Sequence, residues 1–504
     1  MGRAKLHLNR VELADFSKGY FPNKDLDEVP DGGSSDCKHV IWYRSALRKM
    51  FGMDLINASQ VAQTRGNGIH FLDVSGVAKR AAVFGSKFYE DVSGTWTDRT
   101  GAVTITDGAS NHTQFINHQL NANKYLIGVN GVDAPFKWTG AGNAAVLGGS
   151  PPIFESVAKY HQAIFGSVNE LVYFSDVGDP ETYNTGSHVI NFDKNVKRLI
   201  DNGPKLAVLM EDHIGSIQGF SYLDYAKEEV EIKNVGCMGR LAATKAVFGK
   251  DNDVIATISR EGVWIIDQAF GQEKILGDDY FQEFNQANLS KAVAAYSSID
   301  HLLYIAAPYG ASTENDYLIV VDMMTGAFWP MPSIHTNSIR AMCSARDANG
   351  DEYIYFIDSN GYSFKFNKGT VNYHTGAATQ GIDARFKTKK YDLKDIHSIR
   401  QFAMLAEAVG DWDVTVAIGF GLTSSDGDTG TINLQAEGDL LGSSFVLGAS
   451  VLAGSDYVFN ILSDVGGFGR YLTITLSNDN VDESFNVKKM ELQLRRRRMG
   501  ANDK

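Results

Sequence analysis

One five-residue pattern, alanine followed by a β-branched residue, phenylalanine, glycine and a small or polar residue, occurs three times in this chain at nearly equal steps. The copies are Ala82–Ser86, Ala163–Ser167 and Ala246–Lys250, and their phenylalanines, Phe84, Phe165 and Phe248, stand 81 and 83 residues apart. Each step is about twice 41, so a similar apolar segment is expected midway. Lys124–Val129 and Leu206–Met210 occupy those places, and Ala292–Tyr296 and Ile339–Cys343 continue the series at steps of about 47. A period of roughly 40–50 residues is the length of one four-stranded propeller blade. The expected fold is therefore all-β: a propeller of about seven blades over 61–381, followed by a β-sandwich-like domain over 382–504.

The interior of each unit agrees with that period. Gly85-Ser86 suits a two-residue II′ turn between Phe84 and Lys87-Phe-Tyr-Glu-Asp91. Val254–Ile258 turns at Glu261-Gly262 into Val263–Ile266, and Tyr353–Ile357 turns at Asn360-Gly361 into Tyr362–Phe366 with period-two alternation. Asn130-Gly131 and Asn360-Gly361 are read as type I′ turns, because Asn-Gly tolerates the positive φ values that turn needs. The fourth unit is the least regular.

The flanks differ. Residues 1–60 carry turn-rich segments, Pro22–Pro30 and Asp31–Ser35, and read as an extended arm. Within it Val40–Tyr43 looks like a strand, available to complete the last blade. Beyond 382 the strands expected are Arg385–Tyr391, Trp412–Ile418, Arg470–Leu476 and Phe485–Leu494, with a surface loop at Ser424–Gly430. Alternation in the last strand slips at Lys488-Lys489, which predicts a β-bulge.

Charge and chemistry narrow the function. With 47 basic and 60 acidic residues the formal charge is −13, which argues against a general nucleic-acid or anionic-membrane surface. Cys37, Cys237 and Cys343 are too few and too scattered for a disulfide framework or a zinc site. No apolar run suggests a signal peptide or a membrane span, so synthesis in a cytoplasm is expected. No nucleophile elbow, His-Glu-x-x-His or phosphate-binding loop occurs, and no catalytic, cofactor or metal site is expected. Asp212-His213 and Asp300-His301 read as turn residues. Asp91–Trp96 resembles a sialidase Asp-box without keeping its spacing, Asp347–Glu352 reads as a hairpin turn rather than a calcium loop, and Asn111-His-Thr113 forms a glycosylation sequon that means nothing without secretion. The run Arg495-Arg496-Arg497-Arg498 stands out in an acidic chain as a candidate assembly contact.

The chain also resembles a known group, the propeller-bearing tail proteins of short-tailed bacteriophages, notably the nozzle (tail tubular protein B) and hub proteins. The residues that carry the likeness are Asp25–Pro30, His39–Arg44 and Leu47–Gly52 at the entry, and Ser175–Tyr183 and Val320–Trp329 in the blades. Arg385–Leu393 and the arginine-ended last strand carry it toward the C-terminus. The resemblance implies a structural virion protein: copies of itself in a ring, expected as a hexamer, around the channel through which DNA leaves. Other tail proteins, such as an adaptor and fibres or spikes, would be its neighbours, and DNA would pass without specific binding. A propeller used as a carbohydrate- or receptor-binding module is the alternative.

Overall fold

The protein is described from a computed structural model covering residues 8–434 and 457–496, apart from positions 58, 62–63, 75, 121–122, 334, 336, 348, 370–371, 376–377, 408–411, 422–426 and 464–466. Seven four-stranded antiparallel sheets follow one another along the chain and form the seven blades. Their first strands are Gly66–Val74, Gln114–Leu120, Ser156–Tyr160, Val196–Asp201, Ala243–Phe248, Val293–Ser297 and Ile339–Arg346. These strands neighbour one another around the axis, and the first strand of blade 7 packs on that of blade 1. Small residues permit the approach. A Cβ on Gly68 would stand 2.5 Å from the Thr113 carbonyl oxygen in the next blade.

The second strands begin at residues 77, 123, 163, 206, 252, 302 and 352, so the repeat varies between 40 and 50 residues. Phe84 and Phe165 lie on second strands, but Phe248 ends the first strand of blade 5. Ala292–Tyr296 and Ile339–Cys343 likewise fall on or beside first strands. The expected equivalence of the three phenylalanines is thus corrected. Phe84-Gly85 and Phe248-Gly249 both enter a hairpin turn, with Gly85 at φ +56° and Gly249 at φ +65°, but at different corners of their blades. The frame slips by one strand without leaving the blade, which is why seven units are still counted.

Gly85-Ser86 closes the Phe84↔Lys87 pair as the II′ geometry requires, with positive φ at Gly85 only. The two Asn-Gly turns are not type I′, since only the glycines have positive φ. They are wider turns held by a side chain: Asn130 Oδ1 accepts from the amides of Val132 and Asp133, and Asp358 Oδ1 from those of Asn360 and Tyr362. Blade 4 is the irregular one, with register shifts in both its first and its third ladder.

The ring is closed by a strand from the N-terminal region, but not by Val40–Tyr43. Gly52–Leu55 pairs with Ser363–Asn367 as the outermost strand of blade 7, whereas Val40–Tyr43 pairs with Ala46–Lys49 in another sheet. That sheet is the β domain, twelve strands in one branched sheet. One layer runs through Gly33–Lys38, Ala384–Thr388, Phe468–Asn478, Asp413–Phe420 and Gly427–Asn433. The other joins Tyr457–Ser463, the 17-residue Tyr391–Glu407, Asn486–Arg496 and Leu8–Leu13. The expected arm is therefore woven into the C-terminal domain. Part of the expected loop at 424–430 is the strand beginning at Gly427, while 424–426 fall outside the described residues. The bulge predicted at Lys488 is present: Leu405 pairs with Lys489 and Ala406 with Val487.

One core runs through both parts. Trp329, Phe356 and Phe366 of blades 6 and 7 belong to the same buried cluster as Phe386, Leu472 and Met490 of the β domain. Polar ties cross the same boundary. The Tyr43 hydroxyl donates to Asp300 of blade 6 at 2.8 Å, and His39 sets its ring nitrogens against the carbonyls of Asp383 and Pro332. No helix among the described residues is long and apolar enough to cross a membrane.

Candidate functional site

The first strands of the blades surround a central void of about 290 Å³, lined by Ile69, His70, Thr113, Gln114, Phe115 and Arg198, and on the other side by residues of blades 5 to 7. One guanidinium dominates it. The ladder of blade 4 shifts register between Val196 and Arg198, so Lys197 is a bulged residue and Arg198 is re-aimed inward. Arg198 Nε and Nη1 are closed from solvent and meet no acceptor among the described residues. Burial lowers its pKa to about 10, with Arg240 adding to the fall, which leaves it charged at neutral pH. No aspartate or glutamate is among the lining residues. Lys245 also lines the void, but its ammonium pairs with Asp201 at 3.1 Å. Across the wall, Gln114 Oε1 accepts from the Ser156 hydroxyl at 2.9 Å, and Ser156 Oγ accepts from the Leu199 amide at 3.0 Å, which ties blades 2, 3 and 4 together.

Two arginines fasten the end where the first strands start. Arg240, which precedes blade 5, reaches the opposite side and donates to the carbonyls of His112, at 2.8 Å, and of Asn130 in blade 2. Arg340 of blade 7 donates to Gly66 O (3.0 Å), Asn67 Oδ1 (3.2 Å), Ala109 O (2.8 Å) and Glu314 Oε2 (2.9 Å), and is 2% exposed. Arg240 thus spans from the blade 5 side to blade 2, and Arg340 ties blades 6, 7 and 1 together.

The residues singled out from sequence do not converge. Asp212 and His213 touch at 2.8 Å, but both also bond Lys194 on an exposed turn, and that lysine bond is the main reason Asp212 titrates below the usual carboxylate range. Asp300 is spent on Tyr43, Lys368 and Ser297, while His301 meets the Tyr296 hydroxyl at 3.1 Å. Asp91 accepts from the Gly94 amide, and Asp347 Oδ1 accepts from the amides of Asn349 and Asp351, so both segments are turns. Among the described residues no group of three or more His, Cys, Asp or Glu is placed to hold a metal ion. The three cysteines are buried and unpaired with one another. Of the arginine run, Arg495 and Arg496 end the last strand exposed, Arg496 pairing with Asp395 at 2.9 Å. Arg497 and Arg498 fall outside the described residues.

Sequence reasoning missed two features. One is Arg198, because a bulge two residues into a strand reverses the alternation that would have pointed its side chain outward. The other is the loop joining the third and fourth strands of blade 4. There Phe220, Tyr222 and Leu223 are 73%, 50% and 81% exposed. The loop is held in shape by Asp224, whose carboxylate accepts from the amides of Phe220 and Ser221 and from the Ser221 hydroxyl. Gly219-Phe-Ser-Tyr-Leu-Asp224 was legible as an apolar turn, but exposure is a tertiary property.

The propeller's buried imidazoles are expected to make it acid-labile. Burial pushes His112 down to about 3 and His70 and His118 to about 4. An unfolded chain protonates these histidines near pH 6.5, while the native one stays neutral until pH 4 or below. Between those values the unfolded state binds more protons, so stability falls as pH falls, by up to about 1.4 kcal/mol per pH unit per histidine. Urea midpoints are expected to drop steadily from pH 6.5 to 4.5, and His118→Leu should flatten that slope by about a third. An unchanged slope in the variant would contradict the assignment.

No family model matches the sequence, and no curated protein matches it. Solved structures do align with it at low identity. A computationally designed protein, Ika8, is 12% identical with a TM-score of 0.41, covering 63% of this chain and all of that one. PorZ, a surface component of the type-IX secretion system of Porphyromonas gingivalis, is 11% identical with a TM-score of 0.38, covering 63% of this chain and 38% of that one. Virginiamycin B lyase from Staphylococcus aureus is 12% identical with a TM-score of 0.37, covering 62% of this chain and 98% of that one.

Proposed function

We propose that this chain is a structural assembly subunit, a ring-forming protein of a short-tailed phage tail, nozzle or hub, that encloses the path of exiting DNA. The observation that carries the assembly role is the Phe220–Leu223 loop, a preformed apolar surface on a blade edge. Large apolar side chains held rigid in water mark a contact surface, because ordering them costs little more on association. The Arg240 span from the blade 5 side across to blade 2 agrees with a channel formed between subunits rather than through one. A charge of −13 per copy, repeated around a ring, favours passage of DNA over retention.

The rival reading, a carbohydrate- or receptor-binding module, draws on the same aromatics. It is the weaker of the two. Leu223 is the most exposed member, and the Asp224 oxygens that could meet sugar hydroxyls are occupied by the loop's own donors. Cyclic closure is the usual way identical subunits surround a channel, and the Arg495–Arg498 end is assigned to the outside of the ring, against a carboxylate-rich neighbour.

Native mass spectrometry of the concentrated protein is expected to give one closed stoichiometry, six copies, that does not retain duplex DNA at about 0.15 M salt, where screening acts over roughly 8 Å. Phe220→Ser combined with Leu223→Ser should return monomers with a nearly unchanged melting temperature, since neither side chain is in the core. Changing Arg495–Arg498 to Ala should weaken assembly in the same way. A protein that stays monomeric at every concentration and binds defined glycans would replace this reading with its rival.

A further inference from the structure

We propose that the exposed loop at 220–224 docks into an aromatic groove on a second copy of this chain, as a knob into a hole. The groove, about 480 Å³, lies between the end of blade 5, the blade 6 turn at 326–328 and the N-terminal segment around Tyr20 and Phe21. Its wall is a packed one: the Tyr20 ring stands edge-on to both Tyr280 and Phe328, with centroids 5.9 Å apart in each case. Ile275 and Leu276 add aliphatic surface. Cavities of about 300–1,000 Å³ accept drug-sized groups, a scale that admits the tip of a loop.

The two surfaces match in charge as well as in apolar character. Lys18, Lys24 and Lys274 line the groove, and no carboxylate is among its described lining residues. The loop carries Asp224, which the Ser221 amide above all holds below the usual carboxylate range, so it faces the lysines ionised. Phe220 and Tyr222 are braced from beneath by His161 and His188 of blade 3, with ring centroids 4.7 and 5.2 Å away, so little freedom is lost on docking. The loop rests on blade 3 and the groove lies on the blade 6 side of blade 5, so one copy cannot fill its own groove. Two unlike patches on one chain make a head-to-tail contact, which closes into a ring when the rotation between copies allows it. This contact presupposes the ring-forming role proposed above and supplies the surface that the loop meets there.

Photo-cross-linking of the concentrated full chain locates the contact. With p-benzoylphenylalanine in place of Leu223, illumination of a mixture of isotope-labelled and unlabelled protein is expected to join position 223 to peptides of the other copy. Those peptides should contain residues 18–24, 274–277 or 326–328. Lys18→Glu combined with Lys24→Glu, both exposed, should raise the concentration for half-assembly about tenfold or more, because like charges then face Asp224. The melting temperature of that variant should stay nearly unchanged. Cross-links confined to other surfaces, or a ring that assembles equally well in the lysine variant, would overturn the docking and leave the ring-forming role standing. A wild type that stays monomeric at every concentration would overturn both.

Discussion

Replacing Arg340 by alanine is expected to destabilise the protein by about 3 kcal/mol, at the lower end of the range for breaking a buried ion pair. The side chain is almost fully enclosed and serves four acceptors from different parts of the ring: Gly66 and Asn67 of blade 1, Ala109 in the connection to blade 2, and Glu314 of blade 6. Truncation strands the buried Gly66 carbonyl and Asn67 amide oxygen, at about 1–3 kcal/mol for each unsatisfied group, whereas Ala109 is exposed and water can serve its carbonyl. The loss stops short of the sum because Glu314 keeps Lys291 at 2.8 Å and is itself part-exposed. Arg340→Lys should recover little, since a single ammonium cannot present the fork that reaches all four. Urea unfolding checks both, and a loss under about 1 kcal/mol for the alanine variant would show that the hub is not holding blades 6, 7 and 1 together.

The second large effect concerns closure. Met53 stands in the N-terminal strand that completes blade 7, opposite Phe366, with 0% exposure. Met53→Asp should cost about 4 kcal/mol or more, combining the lost apolar burial of a core methionine with the burial of a carboxylate. Met53→Leu keeps the volume and should cost less than about 1.5 kcal/mol. Because the strand joins residues some 310 positions apart in sequence, its release opens the ring at one seam. Hydrogen exchange is the diagnostic measurement: amides of Ser363–Asn367 should lose protection first in the aspartate variant, while those of blades 3 and 4 on the far side keep theirs longer. Uniform loss of protection in every blade would mean that the propeller unfolds as one unit and that closure is not a separable step.

The sequence by itself determined what depends on local pattern. Blade length follows from a hairpin rhythm set by turn residues, so seven units could be counted although Phe248 proved to lie on a different strand from Phe84 and Phe165. The II′ turn at Gly85-Ser86 and the bulge at Lys488 were equally local, because each rests on residues adjacent in the chain. Tertiary structure alone decided everything that joins distant segments. Val40–Tyr43 and Gly52–Leu55 are both short apolar strands with no local mark of their partners. Only the fit of Met53 against Phe366, and of Val40 and Ile41 against the β domain, sends one to the ring and the other away from it. The same holds for the void. That Arg198 lines the void, with no carboxylate among the lining residues, is set by a one-residue shift of register and by five other first strands drawn from nearly 280 residues of chain, a convergence to which no sequence spacing gives a clue.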